Sequence, residues 1–413
     1  LLWILLPLGQ TVFAQSNPKL DPLIQNVYGR KTISLNGNWS YLLDQLEVGY
    51  YNYRRTPDPN GFFKDPAVDN VTAYKEYDFD SAPVMAIPGD WNTWEDRFFF
   101  YEGTMWFKHK FLYKKTDHRV YLYLGAVNYD AKVYLNGTKV GEHIGGYTPF
   151  NMEVTNQIKD GENFVVVKVD NKRTAEGVPT LNCDWFNFGG ITRDVMLVEV
   201  PQTYISSYYV QLKKGSKDTL TGYVKMDGAV ASHKVQLEIP GLKIKKELTT
   251  DTKGYASFEI KAKPILWSTE NPYLYQVSLS TDTDKVTDEI GFRTIETKGR
   301  QILLNGNPVF LKGISIHEEA PFRSGRICSE EEDLTLLNWA KELGCNYVRL
   351  AHYPHNEKMV RLAEKMGLMV WSEIPVYWTI QWENKDTYQN AHNQLMEMIE
   401  RDQNRAAVII WSI

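Results

Sequence analysis

The chain has 413 residues, of which 46 are basic and 51 acidic, giving a net charge of −5, with 43% hydrophobic residues, 28 glycines and 18 prolines. That length exceeds one ordinary domain of about 150 residues, and the composition excludes disordered, collagen-like and low-complexity chains. The acidic balance supplies no basic footprint for a phosphate backbone, which excludes nucleic acid as a partner.

The first stretch, Leu1 to Leu8, is wholly apolar and closes through Val12-Phe13-Ala14 before the polar Gln15-Ser16-Asn17. It reads as the apolar core and cleavage site of a secretory signal peptide over 1–14, starting without Met or a basic leader and so expected to be incomplete. The run is too short to span a bilayer comfortably, so no membrane partner is expected and the protein is read as exported, periplasmic or extracellular. Cys183, Cys328 and Cys345 stand in no metal-like spacing and leave at least one thiol unpaired, which argues against a disulfide framework or a zinc site.

Over 25–200 the sequence alternates short strands and turns. Val120 to Leu124, Ala131 to Leu135 with the Asn136-Gly137 turn, and Asn163 to Val169 are rich in β-branched and aromatic residues at strand length. They predict an antiparallel, jelly-roll-like β-sandwich. A smaller strand-rich unit over 201–297, with strands at Val235 to Ile239, Ala256 to Ile260 and Tyr273 to Leu279, suits an immunoglobulin-like sandwich.

Over 298–413 the hydrophobic period changes from two to 3.6. A strand is expected around Val309 to Gly313. Ser329 and Glu332 then predict a capping box for a helix with Leu336, Ala340 and Leu343 on one face and Gly344 as its stop. Asn346 to Arg349 reads as a strand, a helix follows with Met359, Leu362, Ala363 and Met366 in register, and Leu368 to Trp371 is again a strand. A helix from about Asp386 to Asp402 leads into the strand Val408 to Trp411. Four strands alternating with three helices predict the first half of a parallel (β/α)8 barrel.

Barrel enzymes place their sites just past the C-terminal ends of the strands. The residues there are His317 with Glu318 and Glu319 after the first strand, Arg349 and His352 at the second, Glu373 after the third and Ser412 after the fourth. Imidazole, guanidinium and carboxylate groups converging on one rim suit a site that hydrogen-bonds several hydroxyls. Any one of them taken singly is more often a residue that orders a loop or pairs a charge.

The stretches Asn346-Tyr-Val-Arg-Leu-Ala-His-Tyr-Pro354 and Asp402-Gln-Asn-Arg-Ala-Ala-Val-Ile-Ile-Trp-Ser412 resemble the two signatures of glycoside hydrolase family 2. Asp184-Trp-Phe-Asn-Phe-Gly-Gly-Ile-Thr-Arg193, Leu266 to Tyr275 and Gly291 to Glu296 resemble that family's sugar-binding and immunoglobulin-like domains. Glu142 to Phe150 and Ile316 to Ala320 are similar to β-glucuronidases, with a β-galactosidase as the alternative. The resemblance implies a retaining exo-acting β-glycosidase working through two carboxyl groups about 5 Å apart. It assigns sugar contacts to Asp184, His317, Arg349 and His352, with Glu373 as support for them. It also implies that the acid/base glutamate and the nucleophile belong to segments following Ile413, so no catalytic residue is expected within these 413 and the chain alone is expected to be inactive. Leu350-Ala351, Gln403 and Ala406 depart from the usual pattern, and Ile374-Pro-Val-Tyr-Trp378 lacks the Glu-x-His arrangement by which some relatives hold magnesium. No metal or cofactor is expected. The partner implied is a carbohydrate, a β-glucuronide or β-galactoside, with a homo-oligomer left open. From a different class, a non-catalytic carbohydrate-binding protein remains the competing reading, against which stands the unpaired edge a half barrel would expose.

Overall fold

A computed structural model describes residues 22–58, 61, 77–228 and 231–413. The expected signal segment, 1–14, lies outside the described residues.

The first unit is a sandwich of antiparallel sheets. One sheet orders Thr32–Ser34, Val195–Val200, Arg119–Leu124 and Phe150–Glu153; the other orders Val84–Ile87, Gly37–Leu43, Thr104–Tyr113, Gly161–Asp170, Asp130–Leu135 and Thr138–Ile144. The long strand Gly161–Asp170 shows why the chain folds this way. Its alternate residues Val165, Val167 and Val169 enter the core between the sheets, while Val166 on the opposite face packs with Trp106 and Tyr134 in a second cluster. The Asn136-Gly137 turn pairs Leu135 with Thr138, and both turn residues have positive φ, 51° and 81°, as a two-residue hairpin of this twist requires.

The second unit packs a three-stranded sheet (Tyr204–Leu212, Thr219–Asp227, Tyr255–Lys261) against a four-stranded one (Ile244–Thr249, Lys234–Ile239, Tyr275–Ser280, Lys285–Ile290), the layered arrangement expected of an immunoglobulin-like domain. A small antiparallel sheet of Ile295–Lys298, Gln301–Leu304 and Asn307–Val309 then leads into the parallel part.

That part comprises β1 (Gly313–Ile316), α1 (Glu330–Glu342), β2 (Tyr347–Leu350), α2 (Glu357–Lys365), β3 (Met369–Glu373), α3 (Lys385–Asp402) and β4 (Val408–Ser412), with the four strands parallel and in sequential order. Leu336, Leu337 and Ala340 of α1 and Met359, Val360 and Ala363 of α2 share one core with Val348, Leu350, Met369 and Val370 of the strands. Alternating strands and helices thus form the partial barrel expected from the change of hydrophobic period.

Three details differ from expectation. The first barrel strand lies at Gly313–Ile316, because Asn307–Val309 folds back as the edge of the preceding hairpin sheet, where Pro308 needs no ladder donor. Leu343 is 70% exposed, since α1 has ended by then and Gly344, with φ of 76°, turns the chain away. The capping box is shared more widely than expected: Ser329 Oγ accepts the Glu332 N–H at 3.3 Å, while the Glu332 carboxylate, besides reaching back to the Ser329 backbone, accepts from Cys328 N–H at 2.9 Å and pairs with Arg323.

Hydrogen bonds fasten both β units to the partial barrel. Asn404, after α3, accepts the Val210 N–H at 2.9 Å and donates to the Tyr208 carbonyl at 2.9 Å. From α3, Gln394 donates to the Val178 carbonyl at 2.9 Å and Asn390 to the Tyr129 hydroxyl at 2.7 Å. These contacts hold the sandwich loops over the C-terminal rim of the strands.

Candidate functional site

At that rim the two domains interlock. Arg193, from the sandwich, donates to the Tyr147 and Pro354 carbonyls at 2.6 Å each and pairs with Glu318, just past β1, at 2.8 Å. Arg326 pairs with the same carboxylate, which also accepts the Asn356 N–H. Burial alone would raise the Glu318 carboxyl, but the two guanidiniums outweigh it and hold it down to about 2. A permanently ionised, fully caged carboxylate is unsuited to act as a general acid near neutral pH. Glu318 therefore joins domains rather than performing chemistry.

Above this anchor lies an aromatic floor. Tyr147 of the sandwich stacks on Tyr353 of the barrel with centroids 4.1 Å apart and an interplanar angle of 12°. Trp185 donates to the Tyr147 hydroxyl at 2.9 Å, and its ring lies 5.7 Å from that of His352 and 6.2 Å from that of His317.

Of the residues singled out from the sequence, Arg349, His352 and Glu373 form one unit. Arg349 grips Glu373 with two N–H···O bonds of 3.0 and 2.8 Å, and the carboxylate is almost wholly buried. His352 Nδ1 lies 2.9 Å from Glu373 Oε1 and 3.1 Å from Arg349 Nη2. A protonated Nδ1 donates to the carboxylate; an unprotonated one accepts from the guanidinium. Either way Nδ1 is occupied and the imidazole is held by the other two groups. Glu373 is the last residue of β3, and its carboxylate is fully engaged by Arg349 and His352.

His317 sits beside this unit, its ring 5.3 Å from that of His352 and its Nδ1 3.4 Å from the Tyr353 hydroxyl. Burial lowers its pKa to about 4, helped by the positive fields of His352, Arg326 and Arg349. His317 is therefore neutral through the physiological range and can both donate and accept toward a hydroxyl. Because the unfolded imidazole binds its proton near pH 6.5 and the folded one near 4, stability falls as pH drops through that window. An NMR titration of the imidazoles should find this ring uncharged at pH 6; a midpoint at or above 6.5 would contradict its environment.

Asp184 comes from the sandwich and is solvent-exposed, yet it reaches the barrel, accepting from the Tyr377 hydroxyl at 2.6 Å. Tyr377 lies over the His352 ring with centroids 4.9 Å apart and 5.3 Å from Trp185. All four residues expected to meet sugar are thus brought to one rim, linked through Tyr377 and Trp185. Glu319 reaches the edge of this unit, its Oε1 3.9 Å from His317 Nδ1, and burial raises its carboxyl; the Ser412 hydroxyl donates to the Ile413 carbonyl at 3.1 Å instead. Nothing local in the sequence marks Trp185, Tyr147 or Tyr353 as site residues. Tyr377 follows β3 by four residues, which was the available signal. Among the described residues no cluster of three His, Cys, Asp or Glu side chains could hold a metal ion, and no helix is long and apolar enough to cross a membrane.

Three family models match end to end: the family 2 glycosyl hydrolase sugar binding domain over 32–201, the second family 2 domain over 203–293, and the family 2 TIM barrel domain over 295–413. The chain belongs to glycosyl hydrolase family 2. A putative beta-glucuronidase of Formosa agariphila is 34% identical over 307 residues, covering 71% of this chain and 37% of that protein. A beta-galactosidase of Thermoanaerobacter pseudethanolicus is 29% identical, covering 93% of this chain and 52% of its own length. Among solved structures, a beta-glucuronidase of an uncultured Clostridium sp. superposes with a TM-score of 0.77 at 27% identity, covering 95% of this chain and 68% of that one. The chain thus spans about a third to a half of the two curated relatives.

Proposed function

We propose that this chain forms the sugar-binding rim of an exported retaining β-glycosidase of family 2 that acts on β-glucuronides. The observation that carries the reading is the meeting of Asp184, from the sandwich, with Tyr377, His352, His317 and Trp185 at the rim of the strands: a polar ring with an aromatic wall, built by two domains. Asp184 and a neutral His317 accept and donate to sugar hydroxyls, Trp185 offers an apolar face to the ring's C–H groups, and the Arg349–Glu373 pair fixes His352. Relatives named beta-glucuronidase support the glucuronide; a relative named beta-galactosidase, aligned over 93% of the chain, supports a galactoside as the second reading.

The reaction of such enzymes needs one carboxyl group with a raised pKa as acid and a second, ionised, as nucleophile. Glu318 and Glu373 are each committed to arginines, and neither is assigned either role. Calorimetry of the 413-residue chain with methyl β-D-glucuronide and methyl β-D-galactoside should show binding, tighter for the glucuronide, and no release of 4-methylumbelliferone from its β-glucuronide. Turnover by this chain would overturn the assignment of catalysis to other residues, and failure of every glycoside to bind would overturn the glycosidase reading itself.

A further inference from the structure

Arg326 has a second set of neighbours that its tie to Glu318 does not explain. Its guanidinium carbon lies 4.7 Å from the centre of the Tyr353 ring and 5.2 Å from that of Tyr147, so one buried cation rests against both members of the stacked pair that floors the rim. A cation and an aromatic ring attract each other more strongly out of water than in it. The loop that carries the arginine is held by other bonds. The Arg326 N–H donates to Asp90 of the sandwich at 3.0 Å, its carbonyl accepts from the Arg323 guanidinium at 2.7 Å, and Asp90 also accepts from the Thr93 N–H and hydroxyl at 2.9 and 2.8 Å. The backbone is thus placed without the rings, and the contact of the side chain with them is a separate feature.

What the rings do next concerns a proton. Tyr353 is fully buried, and its hydroxyl meets His317 Nδ1 at 3.4 Å. A buried hydroxyl needs an acceptor, and Nδ1 accepts only when it is unprotonated, so the neutral His317 carries its proton on Nε2. Glu319 Oε1, the other group facing Nδ1, stands 3.9 Å away, beyond hydrogen-bond reach. His352, Arg326 and Arg349 complete the charged surroundings of the ring, and each disfavours a second proton on it. Burial raises the Tyr353 phenol, and the Arg326 charge works against that rise, which strengthens the hydroxyl as a donor. Among the described residues no hydrogen bond engages His317 Nε2, and a third of the side chain, 33%, is exposed.

We infer that Arg326 is a positioning residue for sugar binding: resting on the Tyr147–Tyr353 stack, it fixes the Tyr353 hydroxyl as donor to His317 Nδ1, so that His317 presents an N–H rather than a lone pair to the sugar. The oxygen that meets His317 is therefore an acceptor. The ligand in this inference rests on the glycosidase reading; the place of the proton does not.

The test compares the 413-residue chain as wild type, Arg326→Gln and Arg326→Lys, by long-range proton–nitrogen NMR of isotope-labelled histidines and by calorimetry with 4-methylumbelliferyl β-D-glucuronide, an aryl glycoside. A thermal melt checks that each variant folds, and Glu318 keeps Arg193 as a partner in both. Wild type should show His317 with its proton on Nε2. Arg326→Gln should mix the two tautomers, raise the His317 midpoint from about 4 toward the ordinary 6.5 and weaken glycoside binding about tenfold, the worth of one hydrogen bond, while Arg326→Lys, which keeps the charge, should recover most of both. Tyr353→Phe keeps the ring and removes the hydroxyl; it should mix the tautomers in the same way, and it decides the matter if Arg326→Gln does not fold. A proton on Nδ1 in wild type, a wild-type tautomer in Arg326→Gln or Tyr353→Phe, or an Arg326→Lys variant no different from Arg326→Gln, each overturns the inference. So does a loss of affinity without any change at His317, which marks a merely structural arginine. If wild type binds no glycoside, the glycosidase reading fails and the sugar goes with it, while the NMR comparison still decides whether Arg326 sets the proton on His317.

Discussion

Glu318→Ala destabilises the protein by about 3–5 kcal/mol, the range measured when one partner of a buried ion pair is removed and its charge is left uncompensated. Here two guanidiniums, Arg193 and Arg326, lose their shared carboxylate, and both side chains are almost wholly buried. Denaturant unfolding of wild type and variant reads the difference. Replacing Glu318 and Arg193 together by methionine should restore part of the loss, since the double change removes one uncompensated charge, and a purely additive result would show that the two groups do not act as a pair. The pH dependence has a fixed sign. The folded carboxyl is held near 2 while the unfolded one titrates near its ordinary value, so this stabilisation is fully present above about pH 4.5 and is lost as the pH falls toward 2. A Glu318→Ala variant should therefore show a shallower loss of stability in acid than wild type.

The second large effect is on binding. Arg349→Lys keeps the positive charge but replaces a planar fork with a single ammonium, so the two-bond grip on Glu373 is lost and His352 loses the frame that orients it. Displacements of about an ångström in a preorganised site cost on the order of 100-fold. We expect affinity for the aryl β-glucuronide to drop by about 10- to 100-fold while the melting temperature changes little, because Arg349 is partly exposed and remains charged. Affinity within twofold of wild type would show that the Arg349–Glu373–His352 unit does not shape the sugar site.

The alternation of apolar strands with helices over 298–413 was legible because burial on two faces writes itself into hydrophobic period, and the rim positions followed from where parallel strands end. The approach of Asp184 to Tyr377 was not legible. It joins residues 193 positions apart across two domains, and no local pattern reports which sandwich loop will lie over which strand. The role of Glu318 was hidden for a related reason. A glutamate after a barrel strand reads equally as a reagent or as a tether, and only the arrival of Arg193 from the sandwich decides between them. The shift of the first strand arose from Pro308, whose missing donor suits a hairpin edge as well as a strand entry, so local propensity favoured neither. Leu343 illustrates the limit of periodicity itself, since the pattern continues one position beyond Glu342, the last residue of the helix, before Gly344 turns the chain.

The Arg193–Glu318 tie also bears on how such chains could be recombined. A sandwich transplanted from another family member onto this barrel would deliver its own residue to the place where Arg193 now stands, and a mismatch there would leave the buried Glu318 carboxylate with Arg326 as its remaining guanidinium partner. The arginine and the glutamate therefore form a compatibility pair, to be exchanged together or not at all, and chimaeras designed at the natural boundary near Pro201 should be screened first for that match.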